Sequence, residues 1–227
     1  MISDTKSDRM GFALLDEKDA RKAIILLEKE YQDAKYYLSF KTPIDLLAAA
    51  ILSAQTRDEV VNSSTPALFD KYRTAKDYSE AKESELIGYI NGISFAANKA
   101  KNIIKAFRII ENKYGGKVPR SMEALVELPG IGRKTANTIL INAYGIVEGI
   151  PVDTWVIKLS GRIGLSKSSA PEEIERDLMR IVEKKDWKRI AYVFKAHGRR
   201  ICQSKVPLCS RCRLSGLCPK NGVKKSA

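Results

Sequence analysis

Apolar residues recur at the spacing of a helix face along almost the whole chain, and no stretch alternates like a strand for more than a few residues. Ala23, Ile24, Leu26, Leu27 and Tyr31 mark one helix between Ala20 and Tyr37, and Pro43 opens a second through Leu46, Leu47, Ala50 and Ile51. Further helical patterns cover residues 83–90, 99–114, 122–128, 133–144, 172–184 and 187–199. Ser169-Ala170-Pro171-Glu172 has the form of a capping box ahead of Ile174, Leu178 and Ile181. The pattern predicts an all-α fold. A chain of 227 residues can bury a core as one large domain or two small ones. Gly115-Gly116-Lys117-Val118-Pro119 reads as a turn between helices, and no repeat or low-complexity linker divides the sequence.

Forty Lys and Arg against 27 Asp and Glu leave a formal net charge of +13, which favours a polyanionic partner. The excess gathers at one end. From Arg199 to Ala227 the chain carries Arg199, Arg200, Lys205, Arg211, Arg213, Lys220, Lys224 and Lys225 without a single carboxylate side chain. No apolar run is long enough to span a bilayer, and Met1–Lys6 lacks the layout of a signal peptide. These features predict an intracellular, reducing location (cytoplasm or nucleoid), where clustered cysteines serve as metal ligands more readily than as disulfides. Cys202, Cys209, Cys212 and Cys218 fall within 17 residues as C-x6-C-x2-C-x5-C. Four thiolates so spaced can wrap one tetrahedral centre, and zinc and a [4Fe–4S] cluster both accept four cysteines.

Leu128-Pro129-Gly130-Ile131-Gly132-Arg133-Lys134-Thr135-Ala136-Asn137 reads as a glycine-rich turn breaking into a helix, with a lysine in the first turn. Such a turn offers backbone N–H groups and the positive end of a helix dipole to a phosphate. The neighbouring Arg133 and the helix terminus both disfavour a protonated Lys134, which points to a nucleophilic amine beside a bound nucleic-acid backbone, the alternative being an ordinary glycine turn followed by a surface lysine.

Several blocks in fixed order make the chain resemble the endonuclease III family of DNA glycosylases. They are Leu52-Ser53-Ala54-Gln55-Thr56-Arg57-Asp58, Asn98-Lys99-Ala100, Leu128–Asn137, Val152-Asp153-Thr154, Ala196-His197-Gly198-Arg199 and the four cysteines. The resemblance implies a helix-hairpin-helix followed by a Gly-Pro-Asp region, in two helical domains that flank a DNA-binding cleft. Residues 36–146 would form a six-helix barrel. Residues 1–35 with 147–227 would form the second domain, in which Cys202, Cys209, Cys212 and Cys218 hold a structural [4Fe–4S] cluster.

Lys134 matches the family's catalytic lysine and Asp153 its catalytic aspartate. An ionised carboxylate stabilises the positive charge that builds on the sugar as an N-glycosidic bond breaks. An amine attacking C1′ forms a Schiff base that permits β-elimination of the 3′ phosphate. Asp153 also stands where a helix N-cap is expected, ahead of Thr154-Trp155-Val156-Ile157. Gln55 and Phe95 match residues that enter the duplex when a base is flipped out, Phe95 competing with a role as a core aromatic. Gly130, Gly132, Arg133 and Lys205 would contact the DNA backbone. His197, the only histidine, is outside the catalytic set. The chain departs from its relatives at Trp155, where bacterial members commonly carry His, and at Ser94-Phe95-Ala96, where a Gly-apolar-aromatic pattern is usual. The expected activity is a bifunctional glycosylase and abasic-site lyase acting as a monomer on oxidised pyrimidines in double-stranded DNA. A thymine or uracil mismatch glycosylase, or a non-catalytic iron–sulfur DNA-binding protein, are the alternatives.

Overall fold

The computed structural model describes residues 12–227, which are all-helical, with no strand among the described residues. Among the described residues eleven α-helices follow one another: α1 Glu17–Glu30, α2 Pro43–Leu52, α3 Asp58–Lys71, α4 Ala75–Ser79, α5 Glu83–Tyr89, α6 Ala96–Tyr114, α7 Met122–Val126, α8 Arg133–Tyr144, α9 Thr154–Ile163, α10 Pro171–Ile181 and α11 Trp187–Arg200. They form two compact units, one made of Tyr36–Glu148 and the other of Gly149–Ala227 with the segment up to Lys35.

In the first unit α2 is buried on every side, from Asp45 to Leu52, because its sequence is apolar all round. Thr42 and Asp45 cap its start reciprocally, the Asp45 amide donating to Thr42 Oγ1 at 3.1 Å and the Thr42 amide to Asp45 Oδ2 at 3.0 Å. Helix α6 lays Ala100, Ile103, Phe107 and Ile110 into the same core. Tyr78 stacks on Phe107 with ring centroids 4.4 Å apart and on Tyr72 at 5.0 Å. The second unit closes around α9 and α11, with Val156, Leu159, Val193 and Phe194 fully buried between α1 and α10.

The sequence pattern misses α3 and α4. Helix α3 holds Asn62, Ser63, Ser64, Thr65 and Pro66 in its interior and buries only Val61, Thr65 and Leu68, so its helical periodicity is faint. Helix α1 begins earlier than expected because Asp16 caps it, accepting from the Asp19 amide at 2.8 Å. It ends at Glu30 rather than Tyr37, and Arg189 takes up the next two carbonyls, Tyr31 O at 3.0 Å and Gln32 O at 3.2 Å. The expected capping box at Ser169 is not formed. Ala170 is the N-cap and brings no side-chain cap to α10; Ser168 Oγ accepts from the Ala170 amide at 3.0 Å and donates to Glu173 Oε2 at 2.5 Å. No helix among the described residues is long and apolar enough to cross a membrane.

Candidate functional site

The glycine-rich turn is anchored from within the Tyr36–Glu148 unit. Leu128 and Ile131 are buried, and the Ile131 amide donates to the Leu128 carbonyl at 3.0 Å. Between them Gly130 takes φ +85°, and a Cβ there would stand 3.3 Å from Asn102 Nδ2 and 3.5 Å from Ile51 Cγ2. Both the backbone and the nearness of α2 and α6 therefore ask for glycine. Gly132 is exposed, and a Cβ on it would meet nothing within 4 Å. As the N-cap of α8 it brings no side-chain oxygen over the first amides. Amides in a first helical turn lack intrahelical acceptors, so such an end suits a phosphate. Arg133 and Lys134 are the first two residues of α8, and both are exposed. Thr138 Oγ1 donates to the Lys134 carbonyl at 2.9 Å, and Asn137 is buried behind it.

Gln55 and Phe95 lie in the same unit, and both have left-handed backbones, with φ of +53° and +59°. Only Lys220 among the other described non-glycine residues shares that region. Phe95 is 63% exposed, so the alternative of a core aromatic is overturned. It serves as N-cap to α6 without a side-chain cap, and Gln55 is exposed three residues past the end of α2. The sequence pattern assigns Lys99 no role. It is 5% exposed, and its ammonium donates to Leu52 O at 2.7 Å, Ala54 O at 2.6 Å and Thr56 Oγ1 at 2.9 Å. Burial pulls its pKa below the ordinary lysine value. A lysine on the apolar stripe of α6, one turn before Ile103, was the signal available in the sequence.

In the other unit Asp153 is the N-cap of α9. Its Oδ1 accepts from the amides of Trp155 at 2.8 Å and Val156 at 2.9 Å, and Oδ2 takes part in neither bond. The indole of Trp155 lies against the backbone of Gly198 in α11: a Cβ on Gly198 would fall 2.1 Å from Trp155 Cε3. Lys158 Nζ sits 5.1 Å from the Trp155 ring centroid. Trp155 is therefore a packed wall behind the Asp153 cap.

Cys202, Cys209, Cys212 and Cys218 are half-buried and line one pocket with Ile163, Leu208 and His197. Among the described residues no three His, Cys, Asp or Glu side chains converge on a single metal ion. The amides of Leu214 and Lys220 approach Cys212 Sγ and Cys218 Sγ, each at 3.4 Å, and Arg162 Nη1 approaches Cys202 Sγ at 3.5 Å. Burial pushes the Cys218 thiol up to about 11 and raises that of Cys212. His197 is buried, which lowers its pKa to about 4, and the ring is neutral. Its Nδ1 lies 2.9 Å from the Tyr31 hydroxyl and its Nε2 3.8 Å from Cys212 Sγ. A Tyr31 hydroxyl donating to Nδ1 leaves the ring proton on Nε2, facing the sulfur.

The basic tail is more internally held than its composition suggests. Arg200 pairs with Asp33 at 2.5 Å and Arg213 with Glu30 at 3.3 Å. Arg162, unnoticed in the sequence, donates to the carbonyls of Cys202 at 3.1 Å, Gln203 at 2.8 Å and Ser204 at 2.9 Å. That clamp shapes the loop that exposes Lys205.

Residues 48–184 match the model of the HhH-GPD superfamily base excision DNA repair proteins. The endonuclease III of Synechocystis sp. is 44% identical over 200 residues, covering 88% of this chain and 91% of that protein. A solved structure of a trapped endonuclease III–DNA covalent intermediate, an estranged-adenine complex, is 38% identical. It superposes with a TM-score of 0.87 over 91% of this chain and 97% of that one. A thermostable thymine-DNA glycosylase, at 22% identity and TM-score 0.79 over 90% and 95% of the two chains, shares the fold.

Proposed function

The chain belongs to the HhH-GPD superfamily of base excision DNA repair proteins, as a DNA glycosylase and abasic-site lyase of the endonuclease III type, and on that premise we propose that it removes oxidised pyrimidines from duplex DNA through a Schiff base at Lys134. The observation that carries this reading is the exposed lysine one residue into α8, directly after an uncapped glycine-rich turn. Gly130, Gly132 and Arg133 hold the phosphate backbone at that helix end, and Lys205 adds a contact from the cysteine loop. Gln55 and Phe95 enter the stack and occupy the space that the extruded nucleotide leaves.

Lys134 Nζ attacks C1′ while the C1′–N bond to the base breaks and the base leaves with the bonding electrons. The carboxylate of Asp153, oriented by its two amide bonds, would offset the positive charge that develops on the sugar. Loss of a proton from Lys134 Nζ lets its lone pair open the sugar ring: the C1′–O4′ bond breaks, O4′ takes up a proton, and C1′ is left as the Schiff base. Removal of a proton from C2′ then expels the 3′ phosphate, which nicks the strand.

The four cysteines fit a [4Fe–4S] cluster: all four line one pocket, and amide and guanidinium N–H groups point at three of the sulfurs. When bound, the cluster would be held by the thiolates of Cys202, Cys209, Cys212 and Cys218 and would cross-link the tail that carries them. Kinship with base excision DNA repair enzymes supports an intracellular enzyme.

Duplexes carrying one oxidised pyrimidine or one G·T mismatch test the reading. The expected result is nicking at the oxidised base, leaving a 3′ unsaturated aldehyde. Base release confined to the mismatch, with the strand intact, would replace it with a mismatch glycosylase.

A further inference from the structure

Gln55 and Phe95 are 40 residues apart in sequence, yet one buried lysine joins their turns. The Lys99 amide donates to the Phe95 carbonyl at 3.1 Å, closing the first turn of α6 on Phe95. Its ammonium reaches the other way, to the carbonyls of Leu52 and Ala54 and to the hydroxyl of Thr56, and so brackets Gln55 on both sides. All three ammonium protons are engaged, at 2.6 to 2.9 Å. The Leu52 carbonyl ends α2 and that of Ala54 follows two residues later, beside the negative end of the helix dipole, which favours a cation. Bulky residues in left-handed backbone persist only where their surroundings over-determine them. Lys99 is such a constraint, shared by two of the three that this chain contains among its described residues.

We propose that Lys99 is a positioning residue that locks the Gln55 turn to the Phe95 turn, so that the two side chains enter the duplex at a fixed separation as one wedge. The lysine touches no substrate atom in this role. The inference rests on the reading of Gln55 and Phe95 as the residues that fill the void.

The test uses the full chain and single-turnover base release from one oxidised pyrimidine in two settings. One is a fully paired duplex. The other is the same strand with the opposing nucleotide missing, where no partner base has to be separated. Lys99→Met is expected to slow release from the paired duplex by about tenfold or more and from the gapped one by less than about threefold. Added to Gln55→Ala with Phe95→Ala, it is expected to cost nothing further on the paired duplex, because the parts it aligns are gone. Equal slowing on both substrates would make Lys99 a support of the fold alone, and a loss fully additive to the double variant would overturn the coupling. If the double variant itself matches wild type on the paired duplex, the void-filling reading fails, and that outcome is separate from the other two. Should Lys99→Met show no cooperative melting, Thr56→Val removes one of the three acceptors. The same contrast is then expected at about threefold, and its absence overturns the proposal.

Discussion

Gly198→Ala is expected to destabilise the protein, although alanine in place of glycine inside a helix ordinarily stabilises by about 0.5–1 kcal/mol. The added methyl would fall 2.1, 2.5 and 2.9 Å from Trp155 Cε3, Cζ3 and Cδ2. Carbon atoms in contact rest at about 3.5–4.0 Å. The overlap is with a rigid bicyclic ring, and the ring is one residue into α9, so moving it moves the helix start that caps on Asp153. Overpacking of this kind costs about 1–3 kcal/mol. Three ring atoms inside contact distance place Gly198→Ala at the upper end, a net loss of about 2 kcal/mol after the helix gain. Gly161→Ala in α9 is the matched control, since a Cβ there meets nothing within 4 Å. It should gain about 1 kcal/mol. Calorimetric melts would therefore move in opposite directions, down by roughly 4–8 °C and up by roughly 2–4 °C. Base release should fall with Gly198→Ala and stay unchanged with Gly161→Ala. Adding Trp155→His to Gly198→Ala should recover most of the loss, because imidazole leaves room for the methyl. A Gly198→Ala protein at least as stable as wild type would refute the packing argument.

Asp153→Asn keeps a good N-cap, so melting should change by less than about 0.5 kcal/mol while base release slows about a hundredfold. A large stability loss with little kinetic effect would reduce Asp153 to its cap. Phe95→Gly relieves a left-handed backbone and should stabilise by about 0.5–1 kcal/mol while activity on paired duplex falls, checked by melting and single-turnover assays on one preparation. A destabilised Phe95→Gly would show that the ring packs more than its exposure indicates. Arg162→Ala removes three carbonyl contacts to residues 202–204. It should speed loss of visible absorbance under chelator and weaken duplex binding, and unchanged bleaching would show that the loop holds without the clamp.

The helical class was legible because α6 and α8 keep a long, regular apolar stripe, and the start of α8 was legible from its glycines. The Asp153 cap could be read too, since an aspartate two residues before an apolar helical run has few other local uses. Helix α3 could not, because tertiary burial of three residues outweighs its weak propensities. The capping box expected at Ser169 could not be read correctly, because the backbone path makes Ala170 the N-cap of α10 and leaves it without a side-chain cap. Contacts across long separations were invisible in principle. Trp155 meets Gly198, Tyr31 meets His197 166 residues away, and Lys99 meets the end of α2. Each is a pairing of ordinary residue types whose meaning arises only when the helices pack.

The central claim is that Lys134 is the nucleophile, and borohydride trapping tests it most directly. A duplex with one oxidised pyrimidine, incubated with the protein under borohydride, should give a covalent protein–DNA band. Lys134→Gln should abolish that band while retaining duplex binding. A band that survives in Lys134→Gln would assign the amine elsewhere and contradict the account.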